Sequence, residues 1–337
     1  RREGLGDLLA EGTRAAAAAL GPEAEPLAVH VKGLELPYHD PRAFVDMGLN
    51  YATAVRGACH LESLTYWTGY GSIWPGWYEG PRDRFDGGQV AAELVIQFQD
   101  YMSLFNPLGL CKFSVKGGLM PAHVTELLNA ATGWGWSADE LLATGRRIFD
   151  LKRYINVALG VTRADDTLPV RIAHEPRPAG TAACSLPDLA PMLEAYYRLR
   201  GWDENGVPIE AKLAEHNLLS RTLLRPMEAG QTCRVGPLDV EFLAITHSIP
   251  DGVGLGINTP EGLIVHMSDY KFDHTPVDNW PSDYATLASF SEQGVLALLS
   301  DSTNAERPGW TPSERVVDKA LDQVFDQAEG RVIIASF

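Results

Sequence analysis

No Cys-x-x-Cys pair occurs anywhere in this 337-residue chain. Its four cysteines, Cys59, Cys111, Cys184 and Cys233, are widely spaced. That excludes a zinc ribbon and a thioredoxin-type redox pair. At this length four cysteines are also too few for a disulfide-stapled secreted scaffold. No run approaches the roughly 18 consecutive apolar residues of a membrane-spanning helix. Basic charge is scarce: 28 Lys and Arg stand against 44 Asp and Glu, a formal net charge of −16. Such a balance argues against a general affinity for nucleic acid or anionic membrane, because both partners are themselves negative. A signal-peptide core is missing as well. The chain opens RREGLGDLL without Met and stops at the apolar RVIIASF, so both ends read as cut from longer proteins. These features point to the cytoplasm, with no membrane partner.

What is present suits folded domains. Hydrophobic residues make up 45% and charged residues 21% of the chain, enough for sizeable cores in two domains. The texture then divides the chain. Up to about residue 210 it reads as helical. GDLLAEGTRAAAAALG is Ala- and Leu-rich, RAFVDMGLNYATAVRGACHLES spaces apolar residues by three and four, and VAAELVIQFQDYMSLF carries a broad apolar face. SADELLATGRRIFDLKRYINVALG opens on the capping box Ser137/Glu140, and LPDLAPMLEAYYRLRGWD ends in basic residues. Beyond residue 220 the runs shorten and turn β-rich. LDVEFLAITHSI, VGLGINT and GLIVHMSDYKF read as strands, with Glu261-Gly262 at a hairpin turn. VLALLSDS, SERVVDKALDQVFDQAEG and RVIIASF then read strand, helix, strand, an α/β layered pattern.

Two short stretches carry candidate chemistry. In FNPLGLCKF, Pro107 must end the preceding helix and Gly109 permits a tight turn whose backbone N–H groups could face a phosphate or pterin. Cys111 follows, where a thiolate could ligate a metal cluster. By pattern alone a glycine-capped helix end with a buried cysteine is the simpler reading. In the second half His247 and Asp269 fall at strand ends and could be a pair of zinc ligands. Solvated strand-end residues are the simpler reading there too.

Longer patterns resolve both. HVKGLELPYHDPR, YATAVRGACH, NPLGLCKF and YYRLRGWDENGVP occur in an order that resembles the C-terminal part of the aldehyde:ferredoxin oxidoreductase family, over about residues 1–210. In that family a tungsten or molybdenum ion is held by two pyranopterins beside a 4Fe–4S cluster, and an aldehyde is oxidised to its acid with electrons passed to ferredoxin. The resemblance implies that Cys111 is a cluster ligand, that Asn106, Gly109 and Leu110 lie in a pterin-contacting loop, and that His60 is a catalytic histidine near the metal. Asn106 stands where the family usually has Asp. His39 stands where it often has Tyr, so a phenol role is lost or moves to Tyr38. The C-x-x-C-x-x-x-C segment for the other cluster ligands, and an N-terminal pterin domain, have no counterpart here, and one thiolate cannot hold a cubane.

THSIPDGVGLGINTPEG, SDYKFDHTPVD and LLSDSTNAERPGWTPSE resemble ribonuclease J, a metallo-β-lactamase-fold nuclease with a β-CASP domain, over about residues 210–337. That implies His247 as a zinc ligand, Asp269 as the carboxylate bridging two zincs, Asp301 as a catalytic acidic residue and RNA as substrate. Ser268 replaces the usual Gly before the bridging Asp. The His-x-His-x-Asp-His string is absent, leaving two of about seven ligands. About twice as many acids as bases in this segment leave no RNA-binding groove evident.

EAKLAEHNLL, residues 210–219, fits both families. The expected organisation is therefore mixed: a mostly α-helical unit, residues 1–209, followed by a partial α/β metallo-β-lactamase-like unit, residues 210–337. The two meet at a shared decamer as an accidental join, inactive alone and holding none of these cofactors stably. A zinc-dependent ribonuclease of the β-CASP type and a non-catalytic chimeric protein are the alternatives.

Overall fold

The computed structural model describes residues 8, 9, 11–79, 83–215, 227–249 and 251–328. They fall into two compact units, one ending at residue 215 and the other starting at residue 227 among the described residues.

The first unit is helical. Its helices are α1 (Gly12–Leu20), α2 (Val45–Thr53), α3 (Tyr66–Gly69), α4 (Gly88–Met102), α5 (Pro121–Thr132), α6 (Ala138–Ala158), α7 (Val170–His174), α8 (Leu189–Arg200) and α9 (Glu210–Glu215). A two-stranded hairpin, β1 (His30–Val31) with β2 (Leu34–Glu35), follows α1. The Ser137 cap is made as its sequence requires: Ser137 Oγ accepts from Glu140 N at 3.2 Å, and Glu140 Oε2 accepts from Ser137 N at 2.8 Å. The helix expected through residues 42–63 is shorter. It runs only over α2 and then breaks into turns, because Gly57 sits at φ +91° with the Val31 carbonyl where a side chain would be. Helix α5 has no counterpart in the expectations above. Of EAKLAEHNLL, residues 210–215 form α9 and the rest lies outside the described residues.

Helix α4 is the axis of this unit and packs on α2, α6 and α8. Ten of its residues are buried, and they include the polar Gln99 and Asp100. Those two are satisfied by one network. Arg200, fully buried on α8, donates to Asp100, to Gln99 Oε1 at 3.0 Å and to the Tyr196 hydroxyl at 3.1 Å. Tyr196 OH donates to Gln99 Oε1 at 2.6 Å, and Gln99 Nε2 donates to Asn50 and Thr53 on α2 at 3.1 and 3.2 Å. Gly145 on α6 lets the helices close until its Cα faces the Asp100 carbonyl. A second network surrounds Asp166, which is 0% exposed: Arg153 reaches both its oxygens at 2.8 Å, Lys32 at 2.9 Å and Tyr197 OH at 2.5 Å. Burial pulls the Lys32 ammonium below its ordinary pKa and Asp166 opposes that.

The second unit is a five-stranded sheet in the order β3 (Thr232–Val235), β4 (Leu238–Ala244), β5 (Val253–Thr259), β6 (Gly262–His266), β7 (Val295–Leu299). The first four pair antiparallel. Strand β7 then joins β6 in parallel after a crossover through α10 (Tyr284–Gln293). Leu263, Val265 and Met267 alternate inward onto Leu243, Ile245 and Phe290. Gly256 leaves the space that the Phe290 ring fills. The expected turn at Glu261-Gly262 is closed by Thr259 Oγ1, which accepts both amides at 3.2 and 3.1 Å. Helix α11 (Arg315–Gln327) forms as its pattern requires but buries none of its residues. The expected strand RVIIASF lies outside the described residues. The described part of this unit is thus a mixed sheet with two helices.

Removing one partner of a buried ion network strands the others. Asp166→Ala should cost about 3–5 kcal/mol of stability, because Arg153 keeps its charge without a counter-ion and Lys32 loses the carboxylate that supports its protonation. Glu175→Ala removes only the exposed Arg171–Glu175 pair at 3.2 Å and should cost at most about 1 kcal/mol. Urea unfolding followed by tryptophan emission measures both.

Candidate functional site

After α4 the chain turns sharply. Leu108, Gly109 and Leu110 donate their amides to Leu104, Asn106 and Phe105 carbonyls at 3.1, 3.1 and 2.8 Å, with Gly109 at φ +65°. The N–H groups that the glycine turn was expected to offer a ligand are therefore spent inside the turn. A ligand would meet instead the exposed Asn106 amide and the exposed Cys111 thiol. Cys111 is not the buried cysteine of the simpler reading. It precedes a 3₁₀ turn, Lys112–Val115, anchored by Trp74 Nε1, which donates to the Val115 carbonyl at 2.8 Å.

His60 begins another 3₁₀ turn, His60–Glu62. Asn50 Nδ2 on α2 donates to the Cys59 carbonyl at 3.0 Å and so ties this turn to the core. Two residues on, Glu62 is 3% exposed and faces Lys112 Nζ at 4.0 Å. The residue beside Cys111 is thus held to the turn that carries His60, and the two candidates from distant stretches share one region of the helical unit. The His60 ring stacks on His39 with centroids 4.8 Å apart, and His39 packs on Tyr66 at 3.9 Å. Burial first, then His39 and the Lys112 ammonium, depress the His60 pKa to about 4. At neutral pH it is a neutral imidazole, able both to donate and to accept a hydrogen bond. Sequence reasoning did not place Glu62, Lys112, Tyr66 or the His39 ring at this site. The only signals were adjacency, Lys112 beside Cys111 and Glu62 two residues past His60.

A groove of about 690 Å³ between α4 and α6, floored by the Arg146–Asp100 pair at 3.0 Å, holds none of these candidates. Its lining mixes both charge signs, and it carries no part of the functional reading.

In the second unit His247 is exposed and follows Thr246, which contacts Ser282 Oγ at 2.9 Å and donates to the Lys271 carbonyl. It lines a small cavity with Asp251, Asp273, Asp278, Trp280 and Glu314. Asp273 and Glu314 are engaged structurally: Asp273 accepts from Thr275 and Glu314 amides at 2.9 and 3.0 Å, and Glu314 pairs with Lys271 at 2.6 Å. Asp269, exposed past the end of β6, does not line that cavity. Asp301 accepts from the Thr303 amide and hydroxyl at 2.9 and 2.6 Å, a turn-capping role. Ser268, directly before Asp269, adopts φ +58°. The exchange of Gly for Ser there looks minor in sequence, yet it falls on a left-handed position that favours glycine.

Neither donor set fits the metal group its motif implies. Among the described residues no three His, Cys, Asp or Glu side chains are placed to hold one metal ion. Of the other cysteines, Cys59 is buried, Cys184 is exposed and Cys233 lies on β3. The helical unit has two exposed thiols, Cys111 and Cys184, and in the sheet unit His247 and Asp269 are not joined by a third such side chain among the described residues. Among the described residues no helix is long and apolar enough to cross a membrane.

Comparison with known proteins divides the chain in the same way. The profile of the family described as aldehyde ferredoxin oxidoreductase, domains 2 and 3, matches residues 1–218. The tungsten-containing aldehyde ferredoxin oxidoreductase of Pyrococcus furiosus is 40% identical over 219 residues, 64% of this chain and 34% of that protein. Ribonuclease J of a Synechocystis species is 49% identical over 127 residues, 37% of this chain and 20% of that protein. The chain therefore spans about a third of the first relative and a fifth of the second. Among solved structures, the active-site complex BamBC of benzoyl coenzyme A reductase is similar with a TM-score of 0.47 at 21% identity, over 64% of this chain and 37% of that one.

Two outcomes follow from this geometry. Ser268→Gly should raise the stability of the sheet unit by about 1 kcal/mol, since glycine adopts φ +58° without the Cβ clash; urea unfolding of the two forms decides it. In native protein iodoacetamide should modify Cys111 and Cys184 and spare Cys59, whose burial also raises its thiol pKa. Peptide mapping by mass spectrometry checks this, and Cys59 should react only after unfolding.

Proposed function

With residues 1–218 placing the chain in the aldehyde ferredoxin oxidoreductase family, we propose that its helical unit is one wall of an aldehyde-oxidising site of the tungsten- or molybdenum-pterin type. Cys111 is one thiolate ligand of the 4Fe–4S cluster in that reading. Asn106, Gly109 and Leu110 face a pterin, and His60 exchanges a proton or hydrogen bond near the reacting carbon. The complete site turns an aldehyde into a carboxylic acid and hands electrons to ferredoxin. The Glu62–Lys112 contact carries the reading, because it brings the cysteine loop and the histidine turn together. His60, neutral at physiological pH, has the protonation state that such exchange needs. The cytoplasm is the matching compartment, since all four cysteines are free thiols.

These 337 residues alone fall short of that chemistry. One thiolate stands where a cubane takes four. The segment from residue 210 onward is, in the same proposal, a partial ribonuclease J-like metallo-β-lactamase/β-CASP unit, with His247 and Asp269 as two zinc ligands, Asp301 as its acidic catalytic residue and RNA as the substrate of the complete enzyme. Its 49% identity to a ribonuclease J over 127 residues supports that assignment. Joined at residues 210–219, the two parts form an accidental fusion with neither activity. A working zinc ribonuclease is the second reading, and a non-catalytic protein the third.

Metal analysis separates them. Purified chain, loaded with zinc or expressed in a host that makes tungsten pterin, should retain substoichiometric metal and turn over neither an aldehyde nor RNA. Tungsten or molybdenum with iron and sulfide, or two zincs, at one equivalent per chain would overturn the proposal. So would turnover in either assay that Cys111→Ala or Asp269→Ala abolishes. A long genomic read across codons 205–225 tests the join independently.

A further inference from the structure

Among the described residues no carboxylate or carbonyl group hydrogen-bonds the His60 ring. What fixes it is a stack. His39 lies against it with centroids 4.8 Å apart and planes 23° from parallel, and the other face of the cluster is Tyr66, 3.9 Å from His39 and 6.3 Å from His60. His39 is itself rigidly placed. Tyr51 OH on α2 donates to its carbonyl at 3.0 Å. The next residue, Asp40, is clamped by Arg42 at 2.8–3.2 Å and by Arg177 at 3.2 Å. Arg42 also donates to the Glu175 carbonyl at 2.8 Å. The segment bearing His39 therefore cannot drift without breaking several charge-assisted bonds. One observation remains unexplained by this packing: His39 Nδ1 is buried and has no hydrogen-bond partner. A buried polar nitrogen left unpaired is disfavoured, so such a group calls for a functional account.

We propose that His39 is a positioning residue, whose ring stacks on His60, fixes its tilt and shields it from water. This rests on the reading of His60 as the proton-exchanging group of the oxidoreductase site. Desolvation leads: the buried stack shields His60 from the water that would stabilise its charge, and burial lowers the His39 pKa as well, so repulsion between the two imidazoles adds only in acid, once His39 carries a proton. The other titratable groups on the packed elements do not reverse this. Lys112 on the cysteine loop is cationic and adds to it, Glu62 is committed to Lys112, and burial holds Tyr66 and the Cys59 thiol in their neutral forms. Tyrosine at position 39 could fill the same space, but it would offer a hydroxyl in place of the second imidazole. The histidine instead sets a second imidazole, with its Nδ1 buried and unpaired, against His60.

The experiment needs neither metal nor pterin. Full-length chain carrying ¹³C-labelled histidine is titrated by NMR, and contacts between the His60, His39 and Tyr66 rings are read from nuclear Overhauser effects. In the unsubstituted protein His60 should begin to protonate only near pH 4, with ring contacts to His39 present. His39→Phe keeps the packing and removes the second imidazole, so the proton affinity of His60 should rise about 3–10-fold. His39→Ala opens the stack to water, so the affinity should rise further and the contacts with Tyr66 should broaden or vanish. A merely structural role predicts a fall in stability with the His60 titration unmoved. Unchanged titration in both variants, or missing His39–His60 contacts in the unsubstituted chain, would overturn the proposal. Should His39→Ala fail to fold, His39→Phe and the unsubstituted protein still decide it. One equivalent of tungsten or molybdenum per chain, or aldehyde turnover that Cys111→Ala abolishes, would overturn the reading of an incomplete oxidoreductase site while leaving this result standing.

Discussion

The Arg200 guanidinium against Asp100 is the interaction on which the helical unit turns. Both groups are buried at the crossing of α4 and α8, and neither could stay there alone, because an unpaired charge in that environment is strongly unfavourable. The pair is tolerable only because Gln99, Tyr196, Asn50 and Thr53 satisfy the remaining donors and acceptors, and the Phe149 ring lies 4.3 Å under the guanidinium. This network ties α2, α4 and α8 into one piece. Helix α2, fixed in this way, holds the Cys59 carbonyl through Asn50 and so sets the start of the turn that bears His60. The candidate site inherits its geometry from a polar core some distance along the chain.

A second consequence concerns what the Cys111 loop can do. Glycine turns are attractive ligand cradles because their amides are available, but here the amides are consumed by Asn106, Phe105 and Leu104. What the turn leaves exposed is the Asn106 side chain, an amide that, unlike a carboxylate, can donate as well as accept. Lys112 serves a local purpose: its partly buried ammonium needs Glu62, and meeting that need draws two loops together.

The sheet unit shows the opposite balance between scaffold and site. Its core is small, with Leu243, Ile245, Leu263, Val265, Met267 and Phe290 at the centre. Considerable apolar surface stays exposed on β7 and α11, including Leu296 and Leu298 at 60% and 61% and Val316 at 55%. Exposure of that kind on one strand and one helix marks surface that normally packs on something else. The unit matches a fifth of a ribonuclease J.

Local patterning alone determined much of this protein. The Ser137 cap, the termination of α4 before Pro107, the alternation along β6, the hairpin at Glu261-Gly262 and the amphipathic α11 all follow from contacts within a few residues, which sequence spacing encodes directly. Motif order also located His60, Cys111, His247 and Asp269 as the residues to examine. Other features depend on atoms far apart in the chain, and tertiary structure decided them. The break after α2 comes from the Val31 carbonyl against Gly57, and the loss of free amides at Gly109 from how the turn closes. The strain at Ser268 is a φ angle that no one-letter code displays. The His39–His60 stack and the Glu62–Lys112 contact join segments 21 and 50 residues apart in numbering, and periodicity carries no information at that range. Sequence named the groups that could do chemistry; burial and long-range packing set their charge state and their neighbours, because both depend on which surfaces the folded chain removes from water.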